Sequence, residues 1–154
     1  VVTNALAKSG LPGRRLELEI TEMVLMQENH AALALLRQLK ELGVSIAMDD
    51  FGTGYSSLGY LRSFPFDRIK IDQSFIRDLS NDDDSLAIIR AVIGLGHSYG
   101  FVTTAEGVET QQQLDVLRAE GCTEAQGYFF SRPKTAADLK TFLSGLHSTE
   151  LAVA

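Results

Sequence analysis

Two adjacent carboxylates, Asp49 and Asp50, stand immediately before a glycine-rich turn, and they are the residues here best suited to chemistry. They follow an apolar run at 44–48 that predicts a short buried strand. Because neighbouring carboxylates repel each other, a fold that holds both at one strand end usually supplies a cation. The alternative is a polar turn in which Asp50 only caps the next helix. The pair by itself fits both interpretations.

The length and composition of the chain limit the classes of protein it can belong to. Its 154 residues, 45% hydrophobic and 22% charged, are typical of one globular domain. The net charge of −6 argues against a nucleic acid polymer as a general partner. The single cysteine excludes an internal disulfide. No apolar run approaches the roughly 20 residues that cross a bilayer, so we expect a cytoplasmic protein with no membrane segment.

Strand and helix signals alternate through most of the chain. The predicted strands are 16–20, 44–48, 66–72, 101–105 and 122–130. The predicted helices include 29–42, 57–62, a long helix ending near Tyr99, one through Leu117, and 136–146. This alternation indicates parallel strands joined by right-handed crossovers. The expected fold class is therefore α/β, with about five consecutive βα units.

Polar residues follow the predicted strands at their carboxyl ends. They are Glu19, Asp49, Asp50, Lys70, Asp72, Glu106 and Gln126. In α/β sheets and barrels, sites are built at this edge because the loops converge there. Carboxylates without cysteine or paired histidine select Mg²⁺ or Mn²⁺. Four or five acids can hold two such metals for in-line displacement at phosphorus, and a lysine can orient the attacking water. The residues predict metal-assisted phosphodiester hydrolysis.

Five segments of the chain resemble, in order and spacing, the C-terminal part of the EAL domain, a bacterial cyclic di-GMP phosphodiesterase family. They are EITE at 19–22, DDFGTGYSSL at 49–58, KIDQSF at 70–75, AEGVET at 105–110 and QGYFFSRP at 126–133. The resemblance implies a modified TIM-type barrel. It also implies hydrolysis of cyclic di-GMP to linear pGpG with two Mg²⁺ or Mn²⁺ ions.

The resemblance assigns expected roles to the polar residues. Glu19 and Asp49 look like ligands of the first metal, with Asp49 bridging to a second metal that Asp50 also binds. Lys70 resembles the lysine that contacts the catalytic water. Glu106 resembles the acid beside the second metal, which is a candidate general base.

Further positions are expected around this centre. Asp72, Glu109 and Gln126 are expected to support the ligands or contact the substrate. Glu22 resembles the glutamate that anchors the loop after the aspartate pair, a loop that in this family also shapes a homodimer interface. Phe129 and Phe130 are expected in the core rather than stacked on a nucleobase.

The chain also departs from the family pattern. No Glu-Ala-Leu occurs in it, and the strand that carries an asparagine ligand is missing. We therefore expect residues 1–154 to be the C-terminal part of a single EAL-like domain, with a core at about 14–146 and a frayed tail at 147–154. The chain alone would lack two metal ligands and have little turnover. The parent protein is expected to carry sensory or diguanylate cyclase domains. The alternative function is a non-catalytic cyclic di-GMP receptor or regulatory module.

Overall fold

A computed structural model of the chain describes residues 1–21, 29–52, 58–79 and 83–146. Its strands form one parallel sheet in which spatial order equals sequence order. The strands are β1 Glu17–Thr21, β2 Ser45–Phe51, β3 Arg68–Ile71, β4 Val102–Ala105 and β5 Glu124–Ala125. The predicted alternation of parallel strands with crossover helices is confirmed.

Helices connect the strands and flank the sheet. They are α1 Val2–Ser9, α2 Asn29–Glu41, α3 Leu58–Ser63, α4 Gln73–Asp78, α5 Asp83–Tyr99, α6 Gln111–Ala119 and α7 Ala136–Leu146, with a 3-10 helix at Gly13–Arg15. The predicted ends at Tyr99 and Leu146 are confirmed. The short helix α4 was not predicted. Within the described ranges, every helix falls short of the length and apolar character that a bilayer crossing requires.

The apolar core lies between the helices and one face of the sheet. Ile46, Ile69 and Ile71 from the central strands are fully buried there, together with Ile89 from α5. Each such side chain contributes roughly 1.5–3 kcal/mol of transfer free energy when it leaves water. Because successive strand residues face opposite sides, this core leaves the alternate residues of the same strands on the other face.

That other face of the sheet is polar. In β3 the core residue Ile69 stands between Arg68 and Lys70, and in β1 Leu18 stands between Glu17 and Glu19. Glu17 and Glu19 lie opposite the apolar residues of β1, and both form ion pairs with β3. The strands therefore deliver charged side chains to one surface.

Four strands differ in length from the prediction, and β3 and β4 are three residues and one residue shorter than predicted. β2 continues through both aspartates to Phe51 instead of ending at residue 48. β5 is only two residues long, and the chain turns at 128–130. A side chain at Gly127 would lie 2.2 Å from the carbonyl oxygen of Val108, so the backbones meet closely there and the strand ends.

The early end of β5 corrects the expectation for two aromatic residues. Phe129 and Phe130 are 37% and 49% exposed and contact each other edge to face, with ring centroids 5.3 Å apart. A continued strand would have turned one of them into the sheet interior. The turn leaves both at the surface of the described chain, so the prediction that they are core residues is wrong.

Candidate metal centre

Lys70 is the centre of an ionic cluster at the carboxyl edge of the sheet. Its Nζ lies 2.7 Å from Glu106 Oε1, 2.8 Å from Glu19 Oε1 and 2.9 Å from Asp49 Oδ1, and its side chain is 6% exposed. Gln126 Nε2 donates a 2.6 Å hydrogen bond to Glu106 Oε1. We call these five residues, Glu19, Asp49, Lys70, Glu106 and Gln126, the rim layer. Strands β1, β2 and β3 contribute a residue each, and the other two residues directly follow β4 and β5.

The neighbouring aspartates reach the same site because β2 is irregular between them. The pairing of β2 with β3 shifts register between Met48 and Phe51, and Asp50 has a left-handed backbone with φ of 54°. A regular strand would send adjacent side chains to opposite faces, whereas a bulge can redirect one of them. Aspartate is among the few non-glycine residues that tolerate this conformation.

As a result, three acids form a group suited to a cation. One carboxylate oxygen from each of Asp49, Asp50 and Glu106 lies within 4.8 Å of the others. Asp50 lies inside β2 and is followed by Phe51 in the same strand. It is therefore not the N-cap of a helix, and this excludes the capping alternative for the pair.

The protonation equilibria of the cluster reflect its excess of acid. Burial works against the charge of Lys70, but its contacts with Glu106, Glu19 and Asp49 outweigh burial and raise the pKa of its ammonium group. Burial raises the pKa of Glu106, and the hydrogen bond and positive charge of Lys70 partly counteract this rise. Burial is the largest cause of the raised pKa of Asp50, and the negative charges of Asp49 and Asp72 raise it further. One ammonium group does not neutralise four carboxylates.

The cluster fits a hard divalent cation. Asp49 Oδ1 is buried and has no hydrogen-bond partner among the described residues, even though it lies 2.9 Å from Lys70 Nζ. Three carboxylates share the ammonium group of Lys70, so its ion pair with Asp49 leaves part of this buried negative charge available to a cation. The candidate ligand atoms are all carboxylate oxygens, which Mg²⁺ and Mn²⁺ prefer. Glu19, Asp49, Asp50 and Glu106 could hold such an ion.

Other residues predicted for the site lie at its margin or outside the described chain. Asp72 is the N-cap of α4, where its Oδ1 accepts from the amide of Ser74 at 3.0 Å. Glu109 is exposed and lines a cavity beside the rim layer. Glu22 lies outside the described residues, as do positions 53–57 of the loop expected at a dimer interface.

A cavity of about 480 Å³ opens next to Glu106 and Gln126. Its wall also carries Tyr128 and Arg132, whose guanidinium carbon lies 4.9 Å from the centroid of the tyrosine ring. The sequence predicted no role for these two residues, although both lie in the segment 126–133 that resembles the EAL domain. The cavity offers an aromatic face and a positive charge beside the acids.

Gln113 was also missed, although the sequence contains its signal. Its Oε1 accepts hydrogen bonds from the amides of Glu109 at 2.8 Å and Thr110 at 3.0 Å, and its Nε2 donates to Ile76 O at 3.0 Å. Thr110 and Gln113 form a capping box at the start of α6. The Thr-x-x-Gln spacing predicts this motif, which fixes the loop that follows Glu106.

Comparison with known proteins places this geometry in a family. The model of the EAL domain matches residues 2–133. The chain belongs to the EAL domain family. The cyclic di-GMP phosphodiesterase NbdA of Pseudomonas aeruginosa is 48% identical over 142 residues, which are 92% of this chain and 18% of that protein. This chain therefore spans only part of the length of such EAL proteins.

Solved EAL structures share the fold. PaMucR phosphodiesterase in complex with c-di-GMP is 44% identical with a TM-score of 0.86, and the match covers 90% of this chain and 56% of that one. The manganese and cy-diGMP complex of Klebsiella pneumoniae BlrP1 is 33% identical with a TM-score of 0.80. The match covers 86% of this chain and 34% of that one. The expected fold, a run of βα units from a TIM-type EAL barrel, is confirmed.

Proposed function

We propose that this chain supplies the C-terminal part of an EAL domain that hydrolyses cyclic di-GMP to linear pGpG with two Mg²⁺ or Mn²⁺ ions. The observation that carries the proposal is the rim layer, in which Lys70 is shared by three carboxylates and Asp49 Oδ1 has no hydrogen-bond partner among the described residues. The similarity to a relative named as a cyclic di-GMP phosphodiesterase supports the choice of substrate.

The metal ligands that this chain would contribute are its own acids. Glu19 and Asp49 would hold a first metal and Asp49 and Asp50 a second, and Glu106 would contribute beside them. Divalent ions in such a site neutralise phosphate charge and lower the pKa of bound water. The 4.8 Å limit on the separations among oxygens of Asp49, Asp50 and Glu106 is consistent with shared coordination.

The protein groups guide the proton in the proposed reaction. A water oxygen forms a bond to phosphorus, the bond from phosphorus to the sugar 3′ oxygen breaks, and the water's proton ends on that leaving oxygen. Lys70 Nζ donates to the attacking water and holds Glu106 at 2.7 Å. Glu106 first accepts the water's proton and then passes it to the leaving oxygen, and its raised pKa makes Glu106 more basic than an ordinary glutamate.

The remaining predicted residues take supporting parts. Gln126 orients Glu106 through its 2.6 Å hydrogen bond. Glu109 lines the cavity in which we propose that the nucleotide lies. Asp72 acts on Asp50 through its charge. Glu22 is proposed to anchor the loop after the aspartates, and that loop to join two copies as a homodimer.

The domain assignment follows from how much of each relative the chain matches. The match covers 90% of this chain but 56% of the PaMucR phosphodiesterase chain. We therefore propose that residues 1–154 act as one part of a larger EAL domain. A further diguanylate cyclase domain in the same protein is proposed by analogy with a 44% identical relative, the bifunctional diguanylate cyclase/cyclic di-GMP phosphodiesterase MucR of Pseudomonas aeruginosa.

A hydrolysis assay tests the function. The complete domain is incubated with labelled cyclic di-GMP and Mg²⁺ or Mn²⁺, and we expect linear pGpG from the wild type and at least about 100-fold less from Glu106→Gln. Calorimetric titration with cyclic di-GMP in EDTA separates binding from chemistry. Binding without turnover under either metal would favour the alternative function, a receptor or regulatory module, over the enzyme.

A further inference from the structure

A second ionic cluster lies directly beneath the rim layer on the same face of the sheet. Arg68 Nε donates to Glu17 Oε2 at 2.9 Å, and its Nη1 donates to Thr104 Oγ1 at 2.6 Å and forms an ion pair with Glu124 Oε2. We call Glu17, Arg68, Thr104 and Glu124 the lower layer. Barrel interiors are filled mostly by branched apolar side chains, so a charged layer here calls for an explanation.

The two layers are in register along the strands. Each member of the lower layer stands two residues before a member of the rim layer in the same strand or its continuation. The pairs are Glu17 with Glu19, Arg68 with Lys70, Thr104 with Glu106, and Glu124 with Gln126. Since two residues of a strand span only about 6.6–6.8 Å of stiff backbone, fixing the first member of a pair constrains the second.

Arg68 connects strands that the sheet alone would keep apart. It lies on the middle strand β3, and its acidic partners lie on β1 and β5, the first and last strands of the described sheet. On a flat sheet these two strands would be about 19 Å apart. One guanidinium can contact both only when the sheet curves toward this face, and the contacts stabilise that curvature.

The residue between Arg68 and Glu17 leaves room for the contact. Ala47 of β2 is the register partner of Arg68 on one side and of Glu19 on the other. Alternation puts Ala47 on the same face as Asp49, and its single methyl group does not obstruct the long side chain of Arg68. A guanidinium is suited to this task because its rigid, planar set of donors can serve several acceptors at once.

We infer that Arg68 is a positioning residue, which holds β1 and β5 at the curvature that brings Glu19 and Gln126 to the rim layer. Arg68 touches neither of those residues in the described contacts and acts through the strands. The inference rests on the proposed metal site, because Glu19 is a ligand there. It predicts that the affinity for the metal depends on a residue that does not bind it.

The test is a Mn²⁺ titration of the complete domain, read by the EPR signal of free Mn²⁺, with the melting temperature measured alongside. We expect Arg68→Met to weaken Mn²⁺ binding by about 10-fold, a typical effect for residues that orient metal ligands. The matched control is Arg90→Met. Arg90 also forms a double contact with a glutamate, Glu120, but on the helices, and it should leave the affinity unchanged.

A triple variant separates positioning from simple charge balance. Arg68→Met leaves Glu17 and Glu124 without their guanidinium, which by itself lowers stability. Adding Glu17→Gln and Glu124→Gln removes the unpaired negative charges of the two glutamates, so we expect the triple variant to regain melting temperature. Its affinity for Mn²⁺ should remain about 10-fold weaker than that of the wild type. Full recovery of affinity in the triple variant would overturn the inference. Should Arg68→Met not fold, the triple variant carries the test.

Arg68→Lys provides a second comparison. Lysine keeps the charge but presents a compact ammonium group that cannot hold both edge strands as the guanidinium does. We expect its Mn²⁺ affinity to remain below that of the wild type, and full wild-type affinity would contradict a positioning role. Failure of the proposed function has a different signature, because then the wild type itself would not bind Mn²⁺ or Asp49→Asn would bind it equally well.

Discussion

The rim layer and the lower layer are built from the same strands, yet they differ in how their charges are balanced. In the lower layer one arginine contacts two glutamates and a threonine. In the rim layer one lysine contacts three carboxylates, Asp50 lies close by, and Asp49 Oδ1 has no hydrogen-bond partner among the described residues. The rim layer has four carboxylates for one ammonium group, whereas the lower layer has two carboxylates for one guanidinium, and the larger excess of acid is what suits the rim layer to a cation.

The two cations suit these different tasks. The guanidinium of Arg68 offers several donors in a fixed plane and keeps its charge at any physiological pH. Lys70 is a compact ammonium group whose contacts are point-like, so a divalent ion can compete for the same carboxylates. The difference teaches that a charged layer inside a barrel becomes a cation site when its acids greatly outnumber its basic groups, and the following variants test this.

The largest effect is expected from Asp49→Asn, which changes only the rim layer. The amide removes the charge of the bridging ligand, so we expect loss of Mn²⁺ binding. Hydrolysis should fall by at least about 100-fold, because a ligand should matter at least as much as the residues that orient ligands. Activity assays and the Mn²⁺ titration measure this. The fold should persist, since Lys70 keeps its ion pairs with Glu19 and Glu106. Retained turnover would contradict a bridging role.

Next in size is Lys70→Met, which removes the cation of the rim layer. Three carboxylates then lose a buried counter-ion, and we expect the metal-free domain to lose about 3 kcal/mol of unfolding free energy. Because a divalent ion can neutralise the same acids, Mn²⁺ should raise the melting temperature of this variant more than that of the wild type. Thermal melts with and without Mn²⁺ give the answer, and equal Mn²⁺ shifts would count against the shared-ligand account.

A smaller effect of opposite sign is expected from Asp50→Asn in the metal-free domain. Burial and the charges of Asp49 and Asp72 raise the pKa of Asp50, so its ionised form disfavours the fold. Asparagine removes that charge and tolerates the left-handed backbone at this position. We expect the melting temperature at pH 7 to rise by about 2–4 °C, while Mn²⁺ binding weakens.

The same variant has a defined pH dependence. A carboxyl whose pKa is higher in the folded than in the unfolded state stabilises the fold when protonated, and this contribution is lost as the pH rises through the folded pKa. The advantage of Asp50→Asn over the wild type should therefore be full at pH 7 and shrink as the pH falls toward 4. An advantage that stays constant between these pH values would show that charge is not its cause.

The smallest effect is expected from the control pair on the helices. Arg90 and Glu120 make contacts of 2.6 and 2.8 Å, but the arginine side chain is 58% exposed. Water and salt screen exposed ion pairs, which therefore add little to stability, so Arg90→Met should leave the midpoint of unfolding almost unchanged. Chemical denaturation measures this. A larger loss would mean that ion-pair count, and not position in the layers, governs these effects.

The sequence predicts much of the frame of this molecule. Alternating apolar and polar residues identify four of the five strands closely, and the glycines after α2 and α5 mark where those helices end. The carboxyl ends of parallel strands meet at one edge, which is why Glu19, Asp49, Lys70, Glu106 and Gln126 could be grouped without coordinates. The roles proposed for them remain predictions.

Other features depend on contacts between distant parts of the chain. Regular alternation would separate Asp49 from Asp50, and only the register shift against β3 and the positive φ of Asp50 bring them together. The exposure of Phe129 and Phe130 follows from the close approach of Gly127 to Val108. Periodicity within one segment carries no information about either contact.

The lower layer was missed for the same reason. Glu17 and Arg68 are 51 positions apart, and Glu124 is a further 56 positions along the chain. Each reads as an ordinary charged residue on the polar side of its strand. Their convergence is a property of the curved sheet, so the sequence identifies these charged residues but does not predict the ion pairs between them.

The central claim is that the rim layer binds a divalent cation, and an anomalous diffraction map of the complete domain with Mn²⁺ tests it most directly. The account predicts a manganese peak at about 2–2.5 Å from carboxylate oxygens of Asp49 and Asp50, with Glu106 beside it, and no such peak in Asp49→Asn crystals. A manganese peak away from these three acids, or no peak in the wild type at saturating Mn²⁺, would contradict it.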